Sequence, residues 1–175
     1  QYAHGGVWAL MAAAALAVQE PQNPGAADLP YRYFTYLSPA HRAEHPVWGP
    51  VYAVEPYVMA ADIYSQPPYA GRGGWSWYTG AAGWLHRAAV ESILGLQMRA
   101  QELFFTPCLP SHWPGAELTL VRDGRTLRFI LVRVSTQAAQ FTLPDDAPPG
   151  ARMLQVGKCL RWVDLPDQAC FVIAL

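Results

Sequence analysis

Gly71-Arg-Gly-Gly-Trp-Ser-Trp-Tyr-Thr-Gly-Ala-Ala-Gly-Trp84 decides how this chain is read. Gly73 and Gly74 permit a backbone turn closed to other residues, and they let a ligand come close. Trp75, Trp77 and Tyr78 supply flat apolar faces with a polar edge, which suits stacking on sugar rings. Thr79 stands as an N-cap for a helix beginning near Gly80, whose unpaired first amides favour an anion. A sugar platform beside an anion cradle points to chemistry between a carbohydrate and a phosphate.

The helix after this block is expected to run to about Leu94. Ala81, Leu85, Ala88, Ala89 and Ile93 recur at three-to-four spacing, and Gly95 closes it. Upstream, Tyr2 to Val18 reads as a helix apolar all round, of the kind buried among other helices. Its run Val7–Val18 lacks a basic leader and is shorter than the ~20 residues of a membrane span. Glu55-Pro56 predicts another helix, with proline at its first position, continuing to about Tyr64. On such a helix Glu55 and Asp62 would lie ~10 Å apart. That is too far for a retaining carboxylate pair, so they read as a substrate contact and a structural partner. Residues 20–50 carry six prolines and no clear period, and are expected to be a long irregular connection.

Residues up to about 106 thus read as helix or loop. After Pro107 the apolar period becomes two. Ala116–Arg122 and Arg125–Val134 flank Asp123-Gly124, a short-hairpin signal. Phe129–Val132 is apolar on both faces, as for a central strand. Further strands are expected at Gln140–Leu143, Met153–Val156, Cys159–Val163 and Ala169–Ala174. The fold class is α+β, with one unit over residues 1–106 and a second over 107–175.

Hydrophobic residues make up 52% of the 175 and charged residues 14%, against roughly 25% charged in an ordinary soluble domain. Eleven arginines to one lysine (Lys158) fit a biased genome. The low charge, with an opening that lacks Met inside a helix, more strongly suggests a surface covered by further protein. A net charge of −1 gives no reason to expect nucleic acid or an anionic membrane as partner. Cys108, Cys159 and Cys170 have no metal-ligand spacing and read as buried thiols in a reducing, cytoplasmic compartment.

His4, beside Gly5 and Gly6, is either a structural histidine or a ligand contact. Arg72 between glycines suits either a phosphate or a carboxylate that anchors the loop. A Cys-His-Asp hydrolase triad is weak, because no nucleophile elbow accompanies it.

The chain resembles the carboxy-terminal part of the inverting glycoside phosphorylases that include cellobiose and chitobiose phosphorylases. Within that group it is most similar to the phosphorylase-like region of cyclic β-1,2-glucan synthases. The resemblance rests on Gln1–His4, Tyr31–Ala40, Glu55–Tyr64, Gly71–Trp84, Glu91–Gly95 and Pro107–Pro114. It implies the last helices of an (α/α)6 barrel capped by a β-sandwich. It implies that inorganic phosphate, as co-substrate with no other cofactor or metal, attacks a β-glucoside with inversion to give α-glucose 1-phosphate. His4, Thr79 and Gly80 match the family's phosphate contacts. Trp75, Trp77 and Tyr78 are expected to line the sugar site or to pack beneath it, with Arg72 shaping the loop and Glu55 as a substrate contact. Ala61 stands where cellobiose-type members carry Gln. The general-acid Asp belongs to an upstream segment of the barrel, so no catalytic acid is assigned here and the chain alone is not expected to catalyse. The partners implied are a β-glucan oligosaccharide, phosphate and the upstream barrel, with any membrane attachment made through other segments. A non-catalytic carbohydrate-binding or structural module is the rival reading.

Overall fold

The computed structural model describes residues 2–23, 25–134 and 147–175. The strand expected at Gln140–Leu143 lies outside them. The fold is α+β, with helices and short strands up to residue 93 and strands beyond. Among the described residues no helix is long and apolar enough to cross a membrane.

Helix α1 (Ala3–Gln19) buries Ala3, Val7, Leu10 and Ala14, a stripe at three-to-four spacing. Its other face is open, with Trp8, Leu16 and Val18 exposed. The expectation of a helix buried all round is therefore corrected within this chain. The connection expected to be irregular holds three helices: α2 (Asp28–Leu37), α3 (Pro39–Glu44) and α4 (Gly49–Tyr52). Pro30 fits α2 because it lies in the first turn, where its missing N–H has no intrahelical acceptor.

The helix expected from Glu55 does not form. Residues 55–61 are a turn followed by extended chain, leading into β1 (Asp62–Ile63), which pairs antiparallel with β2 (Gly73–Gly74). Long-range backbone bonds replace helical ones: Ala3 N donates to Ala61 O at 2.8 Å, and Ala61 N to Trp75 O at 2.9 Å. The Glu55–Asp62 separation worked from helix rise is withdrawn with it.

Helix α5 (Thr79–Arg87) continues as a π-helical turn, Ala88–Ile93. Gly95 closes it at φ +81°, and a Cβ there would collide with the backbone of Thr106 and Pro107. Strands β3 (Leu96–Arg99) and β4 (Glu102–Phe105) form a hairpin directly after it. Residues 96–105 are thus strand rather than helix or loop.

Strands β5 (Gly115–Arg122) and β6 (Arg125–Val132) make the expected hairpin, turning at Asp123 (φ +50°) and Gly124 (φ +77°). Strands β7 (Arg152–Leu154), β8 (Leu160–Arg161) and β9 (Gln168–Ala174) follow. The expected Cys159–Val163 strand is cut short by a 3-10 turn at Trp162–Asp164. One sheet has the order β3-β4-β8 and the other β5-β6-β9-β7, with β6 and β7 both parallel to β9. Phe105 of the first sheet meets Phe129 of the second at 4.6 Å, and Phe129 stacks on Phe171 at 5.4 Å. A continuous apolar core runs from Val7 and Leu10 of α1 through Leu85 and Ile93 to Leu103, Leu127 and Ile173. Of the cysteines, Cys108 is buried and Cys170 half-buried, but Cys159 is exposed, which corrects the reading of three buried thiols.

Candidate functional site

The site is assembled where three distant segments lie side by side. Tyr2 bridges to Asp62, Asp62 pairs with Gly74, and Tyr78 N donates to Met59 O at 3.0 Å. This weave places the first turn of α1 against the first turn of α5. His4 Nε2 lies 3.6 Å from the point where a Cβ on Gly80 would stand. The gap between imidazole and helix start is open because Gly80 has no side chain.

The first helical bond of α5 runs from Ala82 N to Tyr78 O at 3.1 Å, so among the described residues the amides of Thr79, Gly80 and Ala81 have no backbone acceptor. Thr79 is the first residue of the helix; Tyr78 holds the cap position and no side chain caps it. The expected N-cap role of Thr79 is corrected. Its exposed hydroxyl is left available beside the free amides. Partial positive charge at a helix start favours an anion there.

Aromatic rings hold His4 in place. Tyr2 lies 5.4 Å from it, Tyr78 meets it edge-on at 5.4 Å and 88°, and Trp8 stands 6.2 Å away. The phenol of Tyr2 is held above the usual tyrosine range, first by hydrogen bonding with the Tyr78 side chain and then by desolvation. His4 Nδ1 is buried with no hydrogen-bond partner. A bare ring acceptor is less costly to bury than an unpaired N–H. The favoured tautomer therefore carries its proton on Nε2, the nitrogen facing Gly80, where it can donate to an anion.

A second cleft, of about 360 Å³, is lined by Tyr64, Tyr69, Arg72 and Trp75 with Gly73 and Gly74. Trp75 links it to the His4 cluster through Tyr78, at 5.5 Å between rings. The Arg72 guanidinium lies 5.9 Å over the Tyr69 ring, and no described ion pair joins it to a carboxylate. Gly73 and Gly74 do not make the expected turn. They form β2, where a Cβ would collide with Val54 and Tyr52, or with the Asp62 carboxylate. Their smallness serves chain-on-chain packing.

Trp75 and Trp77 both adopt left-handed backbone, at φ +33° and +62°, a costly conformation for bulky residues. Both indoles are exposed, at 77% and 64%, so neither is a core residue of this chain. Trp77 faces Tyr57 at 6.4 Å rather than His4. Glu55 stands exposed at the start of the Glu55–Val58 turn, and no described hydrogen bond or ion pair joins it to the cluster. The structure thus brings together His4, Tyr78, Thr79, Gly80 and Trp75, and sets Arg72 beside Trp75. Sequence reasoning missed Tyr2, Trp8, Tyr64 and Tyr69. The i,i+4 spacing of His4 and Trp8 on one helix was a usable signal for one of them. Among the described residues no group of three His, Cys, Asp or Glu side chains could hold a metal.

Residues 1–95 match the glycosyl hydrolase 94 superfamily, catalytic domain, and the chain belongs to that family. It is 46% identical to the cyclic beta-(1,2)-glucan synthase NdvB of Rhizobium meliloti (strain 1021), over 77% of this chain and 4% of that protein. It is 30% identical to the N,N'-diacetylchitobiose phosphorylase of Vibrio proteolyticus, over 96% of this chain and 18% of that protein. It is 34% identical to the solabiose phosphorylase of Paenibacillus borealis, over 41% and 10%. The chain therefore spans less than a fifth of the length of each of these relatives.

Proposed function

We propose that this chain is one wall of an inverting glycoside phosphorylase that cleaves β-linked glucose oligomers, β-1,2-glucan among them, with inorganic phosphate. His4 Nε2–H, the Thr79 hydroxyl and the Gly80 amide hold the phosphate. Tyr78 and Trp75 border it on the sugar side; Arg72, Trp77 and Glu55 belong to that side further out. A phosphate oxygen attacks the anomeric carbon from the face opposite the leaving oxygen. The glycosidic C–O bond breaks, α-glucose 1-phosphate forms, and a carboxylic acid elsewhere in the longer polypeptide protonates the departing alcohol. The helices up to residue 93 form the end of an (α/α)6 barrel and the strands that follow a β-sandwich cap, in a cytoplasmic protein. The boundary lies before β3 and not at residue 106, because β3 and β4 share a sheet with β8.

The observation that carries this reading is the 3.6 Å between His4 Nε2 and the point where a Cβ on Gly80 would stand, at a helix start whose first amides have no backbone acceptor among the described residues. Support comes also from relatives named as phosphorylases and a glucan synthase. The test uses the full-length polypeptide. Glucose 1-phosphate is expected from β-glucan only when phosphate is supplied, and Thr79→Val should raise the phosphate KM at least about tenfold. Release without phosphate, or an unchanged KM in the variant, refutes the assignment.

A further inference from the structure

A cavity of about 600 Å³ lies apart from the His4 cluster and is lined by Thr35, Tyr36, His41, Arg42, His45 and Trp48. Its size is that of small-molecule pockets. The turn that builds it is pinned. His45 Nδ1 accepts the backbone N–H groups of Val47 and Trp48 at 3.2 and 3.1 Å, and Gly49 packs so closely on the Ala43 carbonyl that no side chain would fit. Trp48 is exposed, yet its six-membered ring lies 3.8 Å from the point where a Cβ on Gly71 would stand, so the glycine-rich loop backs it.

Two polar groups of the lining, on His45 and Arg42, keep donors open, while His41 Nδ1 is engaged with Ser38 Oγ at 3.0 Å. With Nδ1 of His45 used as an acceptor, its ring proton sits on Nε2. Arg42 Nε donates to Tyr36 O at 2.7 Å and its guanidinium lies 6.0 Å over the Tyr36 ring. Its two terminal nitrogens enter no described hydrogen bond or ion pair. The Thr35 hydroxyl is spent on Arg32 O. The lining contains no carboxylate. This set offers a guanidinium fork and an imidazole N–H, with no carboxylate opposing them, beside the aromatic rings of Trp48 and Tyr36. That combination matches an anion carried on a ring with an apolar face.

We infer that this cavity binds a monosaccharide phosphate, with the phosphate on Arg42 and His45 Nε2 and the pyranose face against Trp48 and Tyr36. The site is separate from the phosphate position beside Gly80 and does not depend on the reading of that position. Calorimetric titration of the full-length protein and of Arg42→Gln with glucose 6-phosphate, glucose and inorganic phosphate tests it, the binding lost in Arg42→Gln reporting this cavity rather than the phosphate position beside Gly80. Glucose 6-phosphate should bind at least about tenfold more tightly than either fragment, because it alone meets both halves of the lining. Arg42→Gln and Trp48→Ala should each weaken it at least about tenfold, with Arg42→Lys in between because a point charge lacks the fork. His4→Gln should leave it unchanged. Thermal unfolding of each variant reports whether it is folded, and Arg42→Lys, the mildest change, keeps the test available should Trp48→Ala fail to fold. No binding to the wild type, equal affinity for glucose, or loss of binding in His4→Gln but not in Arg42→Gln would each overturn the inference.

Discussion

Gly80→Ala separates the proposed site from the fold that carries it. A Cβ at residue 80 would stand 3.6 Å from His4 Nε2 and 3.7 Å from His4 Cε1, ordinary van der Waals contacts, and no other atom lies within 4 Å. The methyl group therefore fits the protein. It does not fit a phosphate oxygen hydrogen-bonded to Nε2, which must sit about 2.7–3.2 Å from that atom in the same gap. Losing one charge-assisted bond costs about 1.5–3 kcal/mol, equivalent to about 10- to 150-fold in phosphate KM. Stability should move the other way or stay level, since alanine is favoured over glycine in a helix by about 0.5–1 kcal/mol. Gly83→Ala is the matched control: it lies on the same helix with nothing within 4 Å of its added Cβ. Phosphate-dependence curves and thermal unfolding of the full-length wild type and both variants give the comparison. Equal phosphate KM in Gly80→Ala and wild type, or an equal rise in both variants, refutes the reasoning.

Three further outcomes follow from the packing. Phe129 is fully buried between Phe105 and Phe171, so Phe129→Ala should cost about 3–5 kcal/mol in denaturant unfolding; a loss under about 1 kcal/mol would contradict the shared core. Asp28 accepts Ser111 N at 2.6 Å and Ser111 Oγ at 2.8 Å, and these bonds hold its carboxyl below the usual range. A depressed folded-state value gives stability that is present above the unfolded value of about 4 and lost as pH falls through the folded one. Asp28→Ala should thus destabilise at pH 7 and differ progressively less from wild type below pH ~4; a gap that widens on acidification would refute the pairing. Burial pushes the Cys108 thiol up to about 11 while Cys159 is exposed, so iodoacetamide at about pH 8 should label Cys159 first by mass spectrometry; faster labelling of Cys108 would reverse the assignment.

Local signals sufficed where one local rule fixes the chain. Asp123-Gly124 makes its hairpin because both residues take the left-handed backbone such a turn demands, and the alanine-rich apolar run of α1 is helical as read, although only one stripe of it is buried. The Leu96–Phe105 hairpin was hidden because its turn places Ala100, a residue that gives no turn signal, at φ +53°. The segment after Glu55 carries a helix-start pattern but takes its hydrogen bonds from Ala3, Arg72 and Trp75, partners no local period reveals. Helix α2 was masked by Pro30 and by its run of aromatics, of which Tyr31 packs on Trp113 at 5.1 Å and Phe34 on His41 at 6.2 Å. At the candidate site the residue types were legible, because imidazole, hydroxyl and glycine at a helix start name anion chemistry. Their meeting was not, since it depends on the weave of residues 2–3, 59–62 and 74–78.

The most direct measurement locates an oxyanion on the full-length protein. Crystals soaked in tungstate, a phosphate mimic with a strong anomalous signal, should show a peak within hydrogen-bond reach of both His4 Nε2 and the Gly80 amide. That peak should vanish when inorganic phosphate is added in excess. Tungstate bound elsewhere, with the gap between His4 and Gly80 empty at saturating concentration, would contradict the account.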